Sequence, residues 1–382
     1  MHQPQSSTAA TPAKRAARKS IAPWAPVINH GKTDEPPRYA HGKHATVRMV
    51  RPKGLSVDAV VLREFGEPDV LRLESVPDPA PGPGWVTVRL KAAALNWHDV
   101  LVRQGKYSSP LPHVLGADGA GVRTDTGEEV LVLPSLWWGD REAAPSAQWE
   151  ILGDHQRGTY AESVRVPENC VAPKPRGLSW EQAAALPLVG LTTYRALFTR
   201  GRLRAGENLL VLGAGGGVAT MAVMLASAVG ANVTVTSSSA DKIAQAQELG
   251  AANGVLYTDS EWPAAARTLT PDGQGFDLVL DSVGTWEPSI AALRPGGRLV
   301  VLGASRSEHA TLDVRPFYFG QYELIGTTMG SPRDFTGLLT LLDTETVPPV
   351  PISAAFPLAE AAAAHKYLEQ GGGFGKVVLT HC

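Results

Sequence analysis

The sequence predicts an α/β protein in which a β-rich domain precedes a doubly wound parallel sheet. Short apolar stretches separated by turns fill about residues 57–182, and residues 86–90 alternate apolar and polar side chains as a half-buried strand does. From Leu209 onward, apolar strands alternate with helices, which is the order of a parallel sheet with crossover helices. Five small residues, 213–217, separate the first of these strands from its helix.

The predicted domain boundaries follow this change of pattern. We expect a β-rich domain over 57–182, an α/β domain over 183–325 and a return to the first domain over 326–382, with 57–380 forming one unit. The predicted strands are 209–213, 232–236, 254–257, 277–281, 298–303 and 376–379, and the predicted helices are 180–185, 191–200, one beginning at 217, 240–249, 261–269, 286–293 and 358–369.

The composition is that of a soluble protein large enough for two domains. The 382 residues are 43% hydrophobic and 19% charged, with a net charge of −2. Two cysteines, Cys170 and Cys382, cannot form a disulfide framework and indicate a reducing compartment, for which we expect the cytoplasm. Because no apolar run in the sequence approaches the roughly 18 residues of a membrane span, we expect no membrane partner, and we also expect no nucleic acid.

Residues 1–56 differ from the rest of the chain in charge and pattern. They contain ten Lys or Arg residues, two acids (Asp34 and Glu35) and seven prolines, without hydrophobic periodicity. We interpret them as a disordered basic tail. Three origins stay open, namely an organelle transit peptide, a translation start at Met49, or a solvated basic arm.

The stretch Leu209 to Leu225, LLVLGAGGGVATMAVML, reads as a strand, a glycine turn and a helix. This geometry holds a pyrophosphate, because glycine lets the backbone come close and the first helical N–H groups face the anion. The best register of the dinucleotide fingerprint has alanine at both outer positions, Ala214 and Ala219, and a tight turn without ligand is the alternative. The residues expected to contact the cofactor here are Ala214, Gly215, Gly216, Gly217 and Val218.

Several segments together resemble one family. They are EFGEPDVLRLESVPDP, LNWHDVLVRQGKY, GADGAGV, GTYAESVRVP, AALPLVGLTTYRAL, GAGGGVATMAVMLASAVGA, SSSADKIAQAQELGA, LRPGGRLVVLGA and FGKVVL. In this order, over about 57–380, they resemble the medium-chain dehydrogenase/reductase superfamily, in its zinc-independent quinone oxidoreductase and enoyl reductase branch. The resemblance implies a chaperonin-10-like substrate domain, a Rossmann cofactor domain, an active site in the cleft between them, hydride transfer from a nicotinamide, and a homodimer or homotetramer.

The resemblance also bears on zinc. Zinc alcohol dehydrogenases similar to this chain carry a cysteine near the position of Asn96 and a histidine at the position of Ala117. A catalytic zinc needs three protein ligands and a structural zinc needs four, which two cysteines do not supply. A metal site could be imagined from His98, Asp99, His113 and Asp118, but we interpret these as solvated or hydrogen-bonded polar groups and predict no metal.

Four side chains are candidates for the chemistry. By family position, Asn96 is expected to face the nicotinamide cleft, where its amide could donate to a carbonyl oxygen; the alternative is a loop side chain that bonds its own backbone. Tyr107 and Tyr160 could donate a proton or a hydrogen bond, or they are packing residues. Thr192 matches a position beside the nicotinamide ribose or amide, with a helix cap as the alternative.

The nicotinamide end of the cofactor is expected near two further segments. The resemblance implies backbone contacts from Gly303, Ala304 and Ser305, which follow the strand RLVVLG. Lys376, in FGKVVL, resembles a lysine close to the cofactor, although a surface lysine on a strand is the alternative.

The end of the second strand indicates which nicotinamide is used. An NAD-specific site places an acid there, whereas this chain has Ser237, Ser238 and Ser239. NADPH-dependent quinone reductases of the family show a similar serine, lysine and tyrosine spacing, here completed by Lys242 and Tyr257. We therefore predict NADPH as cofactor, the alternative being a solvated helix lysine and a strand-end aromatic.

These observations predict an NADPH-dependent oxidoreductase that reduces quinones or α,β-unsaturated carbonyl compounds without zinc. Such acceptors are already electrophilic, so the site has to hold the nicotinamide C4 about 3–3.5 Å from the acceptor atom and exclude water. Two alternatives stay open: an alcohol or aldehyde dehydrogenase of the same superfamily, and an NADPH-binding protein without turnover that has a structural or sensing role.

Overall fold

A computed structural model describes residues 56–344, 346–371 and 373–381. The predicted tail 1–56 therefore lies outside the described residues except for Ser56, as does Cys382. None of the described helices combines the length and the apolar composition that a membrane span requires, and the compartment stays a prediction.

The first part of the chain is rich in strands, as the alternation of apolar and polar side chains predicts. Its central strand, residues 85–94, has buried side chains at seven of its ten positions, because other strands and a helix pack against it. The strands are β1 (Ser56–Leu62), β2 (Leu71–Pro77), β3 (Trp85–Ala94), β4 (His113–Val114), β5 (Asp118–Arg123), β6 (Glu129–Val132), β7 (Ser135–Leu136), β8 (Glu150–Ile151), β9 (Ser163–Pro167) and β10 (Val171–Pro173). The helices are α1 (Trp97–Arg103), α2 (Trp180–Ala184) and α3 (Pro187–Tyr194), and α3 continues as a π-helical segment, Arg195–Arg200.

The middle of the chain alternates strands and helices as predicted, apart from its last helix and last strand, which were not predicted. Helix α4 is apolar on almost all sides because it is buried against the sheet. The elements are β11 (Asn208–Val211), α4 (Gly217–Ala228), β12 (Asn232–Ser237), α5 (Ala240–Glu248), β13 (Asn253–Leu256), α6 (Trp262–Arg267), β14 (Phe276–Asp281), α7 (Trp286–Ala292), β15 (Leu293–Val301), α8 (Val314–Phe319) and β16 (Glu323–Gly326). The six strands form one parallel sheet in the order β13-β12-β11-β14-β15-β16, and this α/β arrangement confirms the predicted fold class.

The last part of the chain was predicted incompletely. It contains α9 (Pro332–Leu342), β17 (Ile352–Pro357), α10 (Ala361–Glu369) and β18 (Lys376–Thr380), whereas the sequence predicted one helix and one strand. Helix α9 carries recognisable start signals, because Ser331 accepts a hydrogen bond from the backbone of Asp334 and the Asp334 side chain accepts one from the backbone of Ser331. Proline at its first position adds to that signal.

Strand β18 returns to the first part of the chain and joins its largest sheet. It pairs antiparallel with β3 and parallel with β17, which gives the order β10-β6-β5-β3-β18-β17, with β9 also paired to β3. One buried apolar cluster runs from this sheet into α4 and the parallel sheet, for example from Val88 through Met221 to Val211. The pairing of β18 fixes Lys376, its first residue, between the two sheets, although the exact domain boundaries stay a prediction.

A buried ion pair fastens the segment 134–158 to α9. Arg195 donates to Asp334 at 2.8 Å and to the backbone carbonyls of Glu142 and Ala143, and its guanidinium lies over the ring of Trp138. Both charged side chains are almost fully buried. Because a buried pair of this kind needs all of its hydrogen bonds, the segment has a defined position relative to the parallel sheet.

Candidate active site

The turn between β11 and α4 is open to an anion. Gly213 and Gly215 adopt positive φ angles of 78° and 102°, which only glycine adopts without strain. Gly216 precedes the helix, and no side chain caps its first turn. A Cβ atom at Gly216 would meet nothing closer than the carbonyl oxygen of Gly213 at 3.8 Å, so there is room above the first N–H groups of the helix. These residues fit the pyrophosphate of a dinucleotide.

The chain just before β18 covers one side of this glycine turn. The N–H of Gly375 donates to the carbonyl oxygen of Gly215 at 3.0 Å. A Cβ atom at Gly217 would lie 3.0 Å from Cδ of Lys376, so the lysine stem lies directly against the start of α4. The alternative of a surface strand lysine is therefore wrong, because the Lys376 side chain is only 3% exposed.

The ammonium of Lys376 ends in a buried polar cluster formed with Asn96 and Asp118. Its Nζ donates to Asn96 Oδ1 at 2.5 Å and to Asp118 Oδ2 at 3.1 Å. The amide of Asn96 donates to the same carboxylate oxygen at 3.0 Å, and the N–H of Leu188 donates to Asp118 Oδ1 at 2.7 Å. This cluster joins β18, the start of α1, β5 and the start of α3. Asp118 was not predicted as a site residue, although it is an acidic residue within the segment GADGAGV.

The side chain of Asn96 is less available for a substrate than predicted. Both polar atoms of its side chain are engaged inside the cluster, and its backbone N–H donates to Asp99 Oδ2 at 2.8 Å. Neither the predicted donation to a substrate carbonyl nor the alternative bond to its own backbone describes its main contacts. In this arrangement the amide holds the lysine and the carboxylate in place.

Tyr160 lies behind this cluster rather than in the cleft. It is fully buried, and its hydroxyl donates to Asp99 Oδ2 at 3.2 Å and lies 3.2 Å from Nε2 of His365. Burial raises the pKa of Asp99 to about 6 and lowers the pKa of His365 to about 3. The expectation that Tyr160 donates directly to substrate is therefore corrected, since its hydroxyl is not accessible.

The other two candidates are placed differently. Thr192 is buried in α3, and its hydroxyl contacts the sulfur of Met329 at 3.6 Å. Tyr107 is 44% exposed, and its ring packs against His98 with centroids 4.8 Å apart. His98 in turn contacts Asp154 through Nε2, at 2.6 Å from Oδ1. Tyr107 is thus beside a titratable pair that the sequence did not connect to it.

The carboxyl edge of β12 and β13 carries the predicted phosphate-binding residues. The hydroxyl of Ser237 accepts from the N–H of Ser239, while Ser238 is exposed. Nζ of Lys242 reaches the carbonyl oxygen of Gly371 at 3.3 Å, and its stem lies against Gly215 of the glycine turn. The lysine stem therefore lies next to the glycine turn, on the helix that follows the exposed serine.

One basic residue at this edge was not predicted. The guanidinium of Arg306 lies over the ring of Tyr257, 5.2 Å from its centroid. Arg306 follows Gly303, Ala304 and Ser305, which are exposed at the carboxyl end of β15. A basic residue in a loop at the carboxyl edge of a parallel sheet is a signal that sequence reasoning could have used.

The donor atoms at the centre of the site do not fit a zinc ion. Zinc in proteins is bound by thiolate, imidazole or carboxylate, whereas this cluster offers one carboxylate, one amide and a lysine ammonium. The ammonium already occupies the position between the two oxygen atoms that a cation would take. Among the described residues, no group of three or more His, Cys, Asp or Glu side chains could hold a metal ion.

Comparison with known proteins decides the family. Residues 82–176 match the family model described as alcohol dehydrogenase GroES-like domain, and residues 217–344 match the one described as zinc-binding dehydrogenase. A quinone oxidoreductase of Pseudomonas aeruginosa is 33% identical over 330 residues, which cover 82% of this chain and 97% of that protein. The chain belongs to the medium-chain dehydrogenase/reductase superfamily.

Two other similar proteins extend the comparison within this superfamily. A 2-methylene-furan-3-one reductase of Solanum lycopersicum is 35% identical over 322 residues, covering 83% of this chain and 77% of that protein. A solved structure named as an NAD-dependent alcohol dehydrogenase is 40% identical, with a TM-score of 0.81, and covers 85% of this chain and 100% of its own. These relatives support oxidoreductase activity with a nicotinamide cofactor. The glycine turn between β11 and α4 of this chain fits such a dinucleotide.

We expect the stability of the folded protein to depend on the pairing of the Lys376 ammonium with the Asp118 carboxylate. Lys376→Met leaves a fully buried carboxylate without its cation and should lower the free energy of unfolding by about 3–5 kcal/mol. Adding Asp118→Asn removes the unpaired charge, so a double-mutant cycle by denaturant unfolding should give a coupling of about 0.5–3 kcal/mol. The matched control, Lys366→Met, breaks an exposed pair with Asp69 and should cost much less, because solvent screens such a pair. Equal costs for the two lysine variants would contradict this view of the cluster.

Proposed function

We propose that this chain is an NADPH-dependent oxidoreductase that transfers a hydride to quinones or α,β-unsaturated carbonyl compounds and does so without zinc. The observation that carries the proposal is the ammonium of Lys376, which lies with Asn96 and Asp118 where a metal site would need free donor atoms. The names of the quinone oxidoreductase and the furanone reductase described above point to the same class of acceptor.

The donor atoms of the described cluster around Lys376 do not fit a metal ion, which favours activated acceptors. Reducing a simple aldehyde needs a Lewis acid or a strong acid to polarise the carbonyl, whereas a quinone or an enone is already electrophilic. The bound cofactor would supply the hydride, and the protein has to align the acceptor and exclude water. In this proposal the buried Asn96, Lys376 and Thr192 line the inner side of the acceptor site, and the more exposed Tyr107 lines its outer side.

The choice of NADPH rests on the carboxyl edge of β12. No acid stands there to repel a 2′-phosphate, since positions 237–239 are serines. Lys242 lies against the glycine turn, four residues after the exposed Ser238, and Arg306 over the ring of Tyr257 adds a second basic group. The name of the 40% identical structure points to NAD, so the cofactor is a point on which this chain is proposed to differ from it.

We also propose that the protein self-associates. Strand β16 ends the parallel sheet in the described chain and has no partner on its outer side. The short helix α8 beside it exposes Val314, Tyr318 and Phe319, of which Phe319 is 72% exposed. Exposed apolar groups next to an open strand edge favour contact with another copy. A monomeric mass by light scattering would contradict this part.

The substrate class is tested by NADPH oxidation with a quinone, an enone, an enoyl thioester and an aldehyde. We expect kcat/KM for the best of the first three to exceed that for the aldehyde by more than about tenfold, which corresponds to about 1.4 kcal/mol. A preference for the aldehyde would support an alcohol or aldehyde dehydrogenase instead. Tight NADPH binding without turnover of any acceptor would support a structural or sensing role, and either result would overturn the proposal.

The cofactor is tested by Lys242→Ala. Charge-assisted hydrogen bonds to a phosphate contribute about 1.5–3 kcal/mol each, so the variant should bind NADPH roughly 10- to 100-fold more weakly and NADH almost unchanged. Titration of cofactor fluorescence measures both dissociation constants. The matched control is Gln245→Ala, which lies exposed on the same helix and should leave NADPH binding unchanged. Equal affinity of the wild type for both cofactors, or an equal loss of both in the variant, would show the assignment to be wrong.

A further inference from the structure

His98 and Asp154 form a pair at the edge of the site that the proposed hydride transfer does not use. Nε2 of His98 lies 2.6 Å from Oδ1 of Asp154, and the two side chains are 11% and 14% exposed. His98 is the second residue of α1 and comes two positions after Asn96, whose side chain holds Lys376. Asp154 belongs to the loop after β8, so the pair joins two separate elements next to the buried cluster.

The loop that carries Asp154 is held firmly. The N–H of Asp154 donates to the carbonyl of Ile151 at 3.0 Å, and the ring of His113 contacts the carbonyl oxygen of Gly153 at 2.8 Å. Gly153 has a positive φ of 94°, and a Cβ there would lie 3.0 Å from the backbone of Gly116. Asp154 therefore has a fixed position and can orient the imidazole of His98.

The second nitrogen of the His98 ring is available. Within the part of the chain that the structure describes, Nδ1 has no hydrogen-bond partner, and it is not among the fully buried polar atoms that lack one. The ring of Tyr107 packs against the imidazole, and Tyr107 is about half-exposed. Nδ1 is thus not fully buried, and the half-exposed ring of Tyr107 beside it offers an aromatic surface for a flat substrate.

The charged groups around His98 favour its protonated form. Burial alone would lower the pKa of His98, but the hydrogen bond and charge of Asp154, with a smaller contribution from Asp99, raise it above its ordinary value. Burial and the charge of Asp154 also raise the pKa of Tyr107, which therefore stays a neutral hydroxyl. A raised pKa increases the imidazolium fraction of His98 at a given pH, and the imidazolium can donate its Nδ1 proton.

We propose that His98, oriented by Asp154, is the proton donor to the reduced substrate. This proposal rests on the proposed function and names the group that completes it. In conjugate reduction the hydride bonds to the β-carbon, and the electron pair of the C=C bond moves to form an enolate. The Nδ1–H bond of His98 then breaks, and its proton goes to the α-carbon or to the enolate oxygen. The ring is left neutral and regains a proton from water at its exposed edge.

The test is the pH dependence of kcat with NADPH and an enone. Because only the imidazolium donates, wild-type kcat should fall as the pH rises through the raised pKa of His98. Asp154→Asn removes the charge that raises this pKa and should move the fall to lower pH. His98→Gln should lower kcat about 10²- to 10⁴-fold, abolish that pH limb and leave the dissociation constant of NADPH unchanged.

His155→Gln is the matched control. His155 is a neighbouring exposed histidine paired with Glu150, and its replacement should change neither kcat nor the pH limb. Wild-type kcat in His98→Gln would overturn this proposal alone. A fall of kcat at every pH in Asp154→Asn, without a shift of the limb, would show a merely structural role and overturn it too. If His98→Gln does not fold, the pH at which kcat falls in Asp154→Asn decides whether the proposal holds. No turnover of any acceptor by the wild type would overturn the proposed function together with this step.

Discussion

The buried ammonium of Lys376 is the interaction on which the arrangement of the site depends. It reaches Asn96 and Asp118 from β18, and its stem lies against the glycine turn of the parallel sheet. A buried charge is stable only with its partners in place, so the cluster requires β18, α1 and β5 to keep their relative positions. The same requirement keeps the turn next to the return strand, and so it positions the proposed cofactor site and the acceptor site together.

The ammonium also limits the chemistry that the site can perform. A fixed cation between the amide and the carboxylate leaves this cluster without a free donor set for zinc, and so without the Lewis acid that zinc would supply to an unactivated carbonyl. Activated acceptors then follow as the proposed substrates. They still need a proton after the hydride has been added, and among the residues described around the cluster the pair of His98 with Asp154 combines a donor, an orienting carboxylate and an open nitrogen.

Sequence patterns predicted local and periodic elements, namely strands, helices and the glycine turn. They did not predict which residues far apart in the chain contact each other. The strands and helices of the parallel sheet follow from apolar patterns and from the glycine turn, so β11, α4 and β12 lie close to their predicted bounds. Helix α9 was missed although Ser331 and Asp334 signal its start. The partners of Lys376 are 280 and 258 positions away, and no pattern of spacing reports such a contact. The burial of Tyr160 and the pairing of His98 with Asp154 depend on the packing of several elements in the same way.

The central claim is that the protein delivers a hydride to an activated acceptor without zinc. The most direct measurement uses NADPH deuterated at C4, an enone and chelator-treated protein, and it locates the deuterium in the product by NMR. If the hydride goes to the activated acceptor as proposed, the deuterium lies on the β-carbon of a saturated ketone. Deuterium on the carbinol carbon of an allylic alcohol, or activity that returns only when zinc is added, would contradict it.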